Sequence, residues 1–463
     1  MAVETVPAEE RVGITSLRWT VPLAFAAFAT SVALLRYHVF LAGGFDLGLY
    51  QQGLWALWHE GLSAWSSWGG YPVLARGASW LLLPLAPLYV LFGVGFLLLL
   101  QAFFVGTGYL FLFDWLAERG APWAAVRRLG WLYLLNPVLW GATLFDFHPL
   151  LLAVPALLAA ISLAERGRYR GALGWGAVAL ASHVLAVLPA AAAGVVWLVR
   201  RRVGPGLAAL GLAAAVLAVD LAALARLDPH GPVILTLLYG EPRLPAGWLA
   251  HVGAALTRPS TWVWLGWLLG PFAVQGWPGR GALWLVALVP WLLLDLSATL
   301  PAATDPFTQL AAPALVPLFL AWAEAPEAGA AGSRGWPKVA LAVAVALFFA
   351  FLAREAGLRH QAPATHEAAA LAAAVAAVPP GARVYCQDFV APHLADRAAL
   401  LPVRPGVRFA APGYVVLDTQ KGTAAAPLAA VRADAARLRR TAVTVFDQEG
   451  VLVFRLVRTV EGV

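Results

Sequence analysis

The residues of this chain that could do chemistry are a few carboxylates and imidazoles in an otherwise apolar sequence. Asp46 lies in Phe45-Asp46-Leu47-Gly48-Leu49-Tyr50-Gln51-Gln52, the first polar stretch after the first long apolar run. Asp146 and His148 lie in Leu144-Phe145-Asp146-Phe147-His148-Pro149. Such side chains, brought together, suit general acid–base catalysis or a hard divalent cation bound through oxygen. The spacing Asp146-x-His148 is not a metal signature by itself.

Each of these residues also has a purely structural interpretation. Asp46 could cap the helical segment that follows it, and His148, which precedes a proline, could be a turn residue at a helix start. A histidine among Ala and Leu, such as His183, is more often packed and hydrogen-bonded than a ligand. Asp220 and Asp295 are predicted to bond neighbouring helices.

Membrane helices must position these groups. The 463 residues are 61% hydrophobic and 12% charged, whereas soluble domains are about 25% charged. Apolar runs recur from Leu17 to about Leu352, with the charges in short clusters between them. A backbone in lipid must satisfy its own hydrogen bonds, so this pattern predicts a polytopic helical membrane protein. The acidic start lacks a signal-peptide pattern, so the first run is expected to be a retained helix.

The net charge of +7 resides mostly in arginine clusters between apolar runs. This placement favours contact with the lipid bilayer and a role in topology, and we expect no nucleic-acid partner. The single cysteine, Cys386, excludes an intrachain disulfide framework and any all-cysteine metal site.

The arginine clusters also indicate orientation. Arg166, Arg168 and Arg170 precede the apolar segment Ala172–Val199, and a run of three arginines begins at Arg200. Both clusters face the cytoplasm if the segment crosses twice, as two short helices that meet near Ser182-His183. One long tilted helix is the alternative, and it would place the second cluster outside. We favour the hairpin.

The apolar runs then predict about eleven spans in a plasma (inner) membrane protein, with the N-terminus cytoplasmic. Residues 1–355 form this bundle, with external loops at about 38–95 and 226–259. Trp80–Gly93 is expected to lie at the membrane surface as a helix. The predicted spans are Leu17–Leu35, Phe96–Leu116, Leu129–Phe145, Leu150–Leu163, the two halves of Ala172–Val199, Gly206–Ala225, Trp262–Trp277, Leu283–Leu300, Gln309–Trp322 and Val339–Leu352.

The tail, residues 364–463, is predicted to be a small extracytoplasmic α/β domain. It has neither a Gly-rich phosphate loop nor a nucleophile elbow. We expect helices at His366–Val378 and Pro427–Arg440, and strands at Arg383–Tyr385, Tyr414–Asp418, Ala442–Phe446 and Val451–Leu456.

In this topology a set of ionisable groups outside the arginine clusters shares the outer side of the membrane, whereas Asp114 lies near the cytoplasmic end of its span. An acidic side chain at mid-membrane costs about 2.5–3.5 kcal/mol, so several at one depth predict a hydrated cavity that opens outward. The set comprises Asp46, Asp146, His148, His183, Asp220, Asp228, His230, Asp295 and Asp305.

Specific stretches of the chain resemble a known family. They are Phe45 to Trp55, Pro84-Leu85-Ala86-Pro87-Leu88-Tyr89, Gln101, Asn136-Pro137, Asp146-Phe147-His148-Pro149, Val378 to Val384, Pro392 to Arg397 and Tyr414 to Asp418. On these residues the chain resembles the DUF2079 bacterial membrane proteins, which are similar to the GT-C superfamily of membrane glycosyltransferases. Those enzymes take a sugar from a polyprenyl-phosphate donor on the extracytoplasmic face.

The resemblance implies a GT-C-like, mainly α bundle with juxtamembrane helices over residues 54–93. It implies that Asp46 is the base or a metal ligand, assisted by Asp146 and His148. A divalent cation, Mg²⁺ or Mn²⁺, would lie at Asp46 and Asp146. The partners would be a polyprenyl-phosphate sugar donor and the bilayer. Substrate binding is assigned to Gln52, Arg76, His183 and Arg243, with the two arginines near the phosphate.

The chain departs from the family pattern at several positions. Gln51 replaces a second acidic residue, and histidines are missing around Arg76-Gly77 and in Thr304–Gln309. Ser182-His183 stands where an acidic pair is usual. Three classes therefore stay open, namely a glycosyltransferase, a non-catalytic envelope protein with the same fold, and a transporter. The transporter is least favoured, because no internal repeat is present and the polar residues cluster at one face.

Overall fold

The computed structural model describes residues 8–228, 233–241, 244–325, 336–358 and 362–462, and it is mainly helical. Fifteen helices form the bundle and its loops within these residues. They are α1 Ala8–His38, α2 Leu49–Glu60, α3 Leu82–Glu118, α4 Trp123–Leu134, α5 Pro137–Leu144, α6 Pro149–Glu165, α7 Tyr169–Ser182, α8 Val187–Val199, α9 Val203–Leu227, α10 Val233–Tyr239, α11 Trp248–Leu256, α12 Pro259–Ala273, α13 Val289–Ser297, α14 Leu315–Ala323 and α15 Trp336–Leu358.

Three helical segments in the described part of the chain are long and apolar enough to cross a membrane. They are Arg18–His38, Leu82–Glu118 and Val203–Leu227. A fourth arises if Gly279–Val286 and Val289–Ser297, bent by 42°, form one span. Other predicted spans are made of shorter apolar helices, so these helices do not establish a count of eleven.

Glycine and proline explain why the predicted spans are shorter or broken. Gly93, with φ +71°, interrupts α3 at the end of Trp80–Gly93, the segment that is predicted to lie at the membrane surface. The predicted span Leu129–Phe145 is divided at Asn136, whose side chain accepts a hydrogen bond from the backbone N–H of Leu139 at 3.0 Å and starts α5. Pro137 then occupies the first helical position.

The segment 172–199 forms the predicted hairpin. Glu165, at the end of α6, accepts a hydrogen bond from Trp197 Nε1 at 2.5 Å and pairs with Arg202 at 2.6 Å. The end of α8 therefore lies beside the loop that precedes α7. The two arginine clusters share one end of the bundle, which a single long helix would not allow.

The tail forms a mixed five-stranded sheet of β3 Val384–Cys386, β4 Leu400–Pro402, β6 Gly413–Asp418, β7 Val443–Gln448 and β8 Val451–Leu456. The strand order is β4-β3-β6-β8-β7, with β3 parallel to β4 and β6, and β8 antiparallel to β6 and β7. All of the predicted tail helices and strands are present, and three short strands (β4, β5 and β9) were missed. In the loop after α2, β1 Trp65–Ser66 pairs with β2 Tyr71–Pro72. The tail elements are α16 Thr365–Ala376, β3 Val384–Cys386, β4 Leu400–Pro402, β5 Arg408–Phe409, β6 Gly413–Asp418, α17 Leu428–Thr441, β7 Val443–Gln448, β8 Val451–Leu456 and β9 Val460–Glu461.

The tail is docked on the end of the bundle where α1 finishes. Tyr89 donates a hydrogen bond to Asp396 at 2.5 Å. The ring of His393 stacks on Tyr37, with centroids 4.2 Å apart, and Ser67 donates to the carbonyl oxygen of Leu400 at 2.8 Å. One apolar cluster runs from the bundle into the tail without a break. The tail is therefore part of the surroundings of the first loop.

Candidate functional site

Asp46 lies on a π-helical turn, Gly44–Gly48, between α1 and α2. Its Oδ1 atom lies 3.0 Å from His148 Nε2 and 3.9 Å from a guanidinium nitrogen of Arg76. The Asp46 side chain is 24% exposed, whereas those of His148 and Arg76 are nearly buried. A carboxylate that is accessible to a ligand is thus held between an imidazole and a cation.

The turn between α5 and α6 is held by a glutamine of α3. Gln101 Nε2 donates to the carbonyl oxygen of Asp146 at 2.7 Å, and Gln101 Oε1 accepts the backbone N–H of His148 at 2.8 Å. Asp146 has φ +69°, a backbone conformation that is uncommon outside glycine. The hydrogen bonds of Gln101 help to stabilise this turn, which aims His148 at Asp46.

Asp146 also contacts the loop that carries Asp46. Its Oδ2 atom accepts the backbone N–H of Gly43 at 2.8 Å. A methyl group built on Gly43 would lie 3.4 Å from Asp46 Oδ2 and 3.6 Å from both Asp146 Oδ2 and Asp388 Oδ2. The predicted group of Asp46, Asp146 and His148 does come together. It includes a third carboxylate, Asp388, that sequence reasoning missed.

A signal for Asp388 was available in the sequence. The residue follows β3 by two positions, and the carboxyl ends of parallel strands commonly carry functional side chains. The sequence pattern indicated the strand Arg383–Tyr385 but not which way its end faces. The missed residue depended on how the tail docks.

The pKa of Asp46 reflects two opposed effects. Burial would raise it, but the hydrogen bond from His148 and the electrostatic attraction of His148 and Arg76 outweigh burial, so the pKa lies below its ordinary value. Asp46 is therefore ionised at neutral pH and can accept a proton.

The other two carboxyl groups behave in the opposite way. Burial and then the charge of Asp46 raise the pKa of Asp146 to about 7, against the opposing effects of Arg36 and the Gly43 N–H. Burial and Asp46 likewise raise the pKa of Asp388 to about 6. The three acids thus differ in charge near neutral pH, with Asp46 the most readily ionised.

Arg76 and His183 line the same cavity as Asp46 and His148. Arg76 donates to the carbonyl oxygen of Phe45 at 2.8 Å and sits over the ring of Tyr50, 5.1 Å from its centroid. His183 Nδ1 accepts the backbone N–H of Leu185 at 3.1 Å, so a neutral ring carries its proton on Nε2. The interpretation of His183 as a packed, hydrogen-bonded histidine is confirmed, and the residue also faces the cavity.

A cavity of about 290 Å³ joins these residues. Asp46, Arg76, His148 and His183 line its polar end. Gln309, whose buried Oε1 has no hydrogen-bond partner among the described residues, also lines the cavity. The remaining wall is largely apolar and includes Phe145, Leu150, Ile234, Leu237, Leu238, Leu300 and Leu310. The cavity combines a charged end with a hydrocarbon-like wall.

Other predicted site residues lie elsewhere. Gln52 is buried and accepts hydrogen bonds from Ser66 Oγ at 3.0 Å and the backbone N–H of Trp68 at 3.1 Å. These bonds stabilise the loop after α2, and Gln52 does not line the cavity that contains Asp46. Arg243, predicted to bind phosphate, and His230 both fall outside the described residues.

Asp220 and Asp295, two of the acidic residues inside predicted spans, are wholly buried. Asp220 accepts a hydrogen bond from Trp80 Nε1 at 2.7 Å, as expected for a link between neighbouring elements. Asp295 has no hydrogen bond to a neighbouring helix among the described residues. The two aspartates do not line the cavity that contains Asp46.

The divalent cation assigned to Asp46 and Asp146 stays a prediction. Asp46 Oδ1 already meets His148, and Asp146 Oδ2 accepts the Gly43 N–H. Within the described ranges, no group of three or more His, Cys, Asp or Glu side chains has the geometry to hold a metal ion. The positive charge beside Asp46 comes from Arg76.

These features define a mainly helical membrane protein with a polar site where the docked tail meets the bundle. Its fold is similar to the crystal structure of ArnT from Cupriavidus metallidurans bound to undecaprenyl phosphate, with a TM-score of 0.51 and 12% identity over 93% of this chain and 98% of that one. The apo structure of the same protein gives a TM-score of 0.40 and 14% identity, with the same coverage.

The DUF2079 family, described as a predicted membrane protein, matches residues 36–439. The chain therefore belongs to this family, and the resemblance found in its sequence is confirmed. No curated protein matches it in sequence.

Proposed function

We propose that the protein is a membrane glycosyltransferase that moves a sugar from a polyprenyl-phosphate donor to an envelope acceptor on the extracytoplasmic face. The observation that carries this proposal is the ionised carboxylate of Asp46 beside Arg76, at the polar end of a cavity with an apolar wall. In this proposal the cavity and the tail face outward and the arginine clusters face the cytoplasm.

The arrangement suits a displacement at the anomeric carbon. Asp46 takes the proton of the acceptor hydroxyl as its oxygen attacks that carbon. The bond from the carbon to the donor phosphate oxygen breaks, and its electron pair leaves with the phosphate. The guanidinium of Arg76 offsets the charge that develops there. His148 Nε2–H donates to Asp46 and holds the orientation of the carboxylate.

The apolar wall suits the lipid part of the donor. A polyprenyl chain is branched hydrocarbon, and leucines and an isoleucine lie beside the charged end of the cavity. That ArnT, a protein of similar fold, binds undecaprenyl phosphate supports the same class of ligand here. The phosphate would lie near Arg76 and the first isoprene units near Leu237 and Leu238.

Binding of undecaprenyl phosphate to the purified protein in detergent tests the donor. Arg76→Gln should weaken binding by at least about tenfold, because it removes the charge that faces the phosphate. The matched control is Arg201→Gln, an exposed arginine at the opposite end of the bundle, which should bind as the wild type does. Equal affinity of the Arg76 variant and the wild type would contradict the assignment of the phosphate site.

Catalysis is tested in cells that lack the gene. We expect the wild-type protein to restore a sugar-bearing envelope product detectable by mass spectrometry, whereas Asp46→Asn should be expressed and bind undecaprenyl phosphate but restore nothing. Restoration by Asp46→Asn would favour the second candidate, a non-catalytic envelope protein that binds lipid. The departures from the family pattern, including the buried amide of Gln51 in place of an acid, are the observation that favours it.

A further inference from the structure

The tail contacts the loop between α1 and α2 at the residues that precede Asp46. Asp388 Oδ1 accepts the backbone N–H groups of Gly44, at 3.0 Å, and Phe45, at 3.1 Å. The bonds reach the start of the π-helical turn, where free N–H groups attract a carboxylate. A side chain more than three hundred positions along the chain thus closes the turn that carries Asp46.

The packing at this contact explains the glycines of the loop. A methyl group on Gly44 would lie 2.7 Å from the carbonyl oxygen of Asp388 and 2.8 Å from the Cβ atom of Ala391. One on Gly48 would lie 3.2 Å from the backbone nitrogen of Pro392. The two turns are therefore in direct backbone contact, and the loop has its present shape only against the tail.

The backbone next to Asp46 is thus held from two sides. Asp388 accepts the N–H of Phe45, and Arg76 donates to the carbonyl oxygen of the same residue at 2.8 Å. Phe45 has little freedom to rotate, because both of its backbone polar groups are bonded. The residue that follows is Asp46, so its carboxylate is directed at His148.

We propose that Asp388 is a positioning residue for Asp46, so that the tail is a structural half of the site and not an appendage. This inference rests on the proposed function, because it assigns Asp388 to the same reaction. Asp388 acts through the backbone of Gly44 and Phe45, so it supplies alignment of the base and needs no contact with substrate. Because this contact comes from the tail, a bundle that lacked the tail could not hold Asp46 in this position.

Hydrogen–deuterium exchange of the full-length protein in detergent tests the contact directly. Asp388→Ala removes the acceptor of two N–H groups, so the peptide that covers residues 44–48 should exchange at least about tenfold faster. Asp388→Asn keeps an oxygen that can accept both bonds, so its exchange should stay close to that of the wild type. Asp396→Ala is the matched control, since it removes another tail carboxylate, the partner of Tyr89.

The envelope product in complemented cells tests the role. Asp388→Ala should lower the product by about tenfold or more at equal expression, Asp388→Asn should restore most of it, and Asp396→Ala should leave it near the wild-type level. Unchanged exchange at 44–48, or faster exchange with undiminished product, would overturn the positioning role. An equal loss in Asp396→Ala would also overturn it, because docking alone would then be responsible.

The two proposals fail in different ways. If Asp46→Asn restores the product, the proposed reaction is wrong and Asp388 has no base to position, whatever the exchange shows. If Asp46→Asn abolishes the product and Asp388→Ala does not lower it, the reaction stands and only the role of Asp388 is refuted.

Discussion

Replacing Asp146 by Asn should make the folded protein increasingly more stable than the wild type as the pH rises from 4 to 7. The carboxyl group is buried, and burial and the charge of Asp46 raise its pKa from 3.8 to about 7 in the folded protein. The opposing effects of Arg36 and the Gly43 N–H are included in that value. Asn keeps an oxygen that can accept the Gly43 N–H, so the change removes mainly the titration.

The sign follows from proton linkage. Between pH 4 and pH 7 the folded protein holds a proton on Asp146 that the unfolded chain has lost, so stability falls as pH rises through this window. Each pKa unit corresponds to about 1.4 kcal/mol, and a rise of about three units gives at most ~4 kcal/mol. The contribution is fully present below the unfolded pKa of 3.8 and is lost above about pH 7.

The assay is unfolding in detergent micelles from pH 4 to pH 8, followed by tryptophan fluorescence. We expect wild type and Asp146→Asn to be similar at pH 4, and the variant to gain a growing advantage up to about pH 7, where the difference levels off. Asp447→Asn, at an exposed position of the tail sheet, is the matched control and should have little effect at any pH. A difference that is constant, or that shrinks as pH rises, would refute the reasoning.

Three further substitutions test the supports of the site. Gln101→Ala leaves the buried His148 N–H without its partner, which should cost about 1–3 kcal/mol of stability in thermal unfolding; an unchanged midpoint would show that this bond contributes nothing. Gly77→Ala would place a methyl group 2.2 Å from His183 Nε2 and should destabilise by about 1–3 kcal/mol, whereas Gly174→Ala, with open space around it, should not. Asn136→Ala removes the N-cap of α5 and should cost about 1 kcal/mol by the same assay, a loss that the neutral cap of Asn136→Ser should largely avoid.

Local patterns in the sequence predicted most of the secondary structure of the tail. A short run of aromatic and β-branched residues identified the strand Tyr414–Asp418, and helical periodicity identified the helix that begins after Pro427. These elements follow from residue types that are close in sequence, so a short window is enough to predict them. The spans were harder to predict, because Gly93 and the break at Asn136-Pro137 divide helices within continuous apolar runs.

The composition of the site was decided only by the tertiary structure. Asp46, Asp146 and His148 could be brought together in advance, because topology places consecutive external turns on one side of the membrane. Asp388 could not, since its role depends on how a separate sheet docks against Gly44. Contacts between segments far apart in sequence are set by the packing of whole elements, which no local pattern encodes. The sequence by itself thus determined a membrane bundle with an acidic loop after its first helix, and tertiary packing decided which carboxylates meet there.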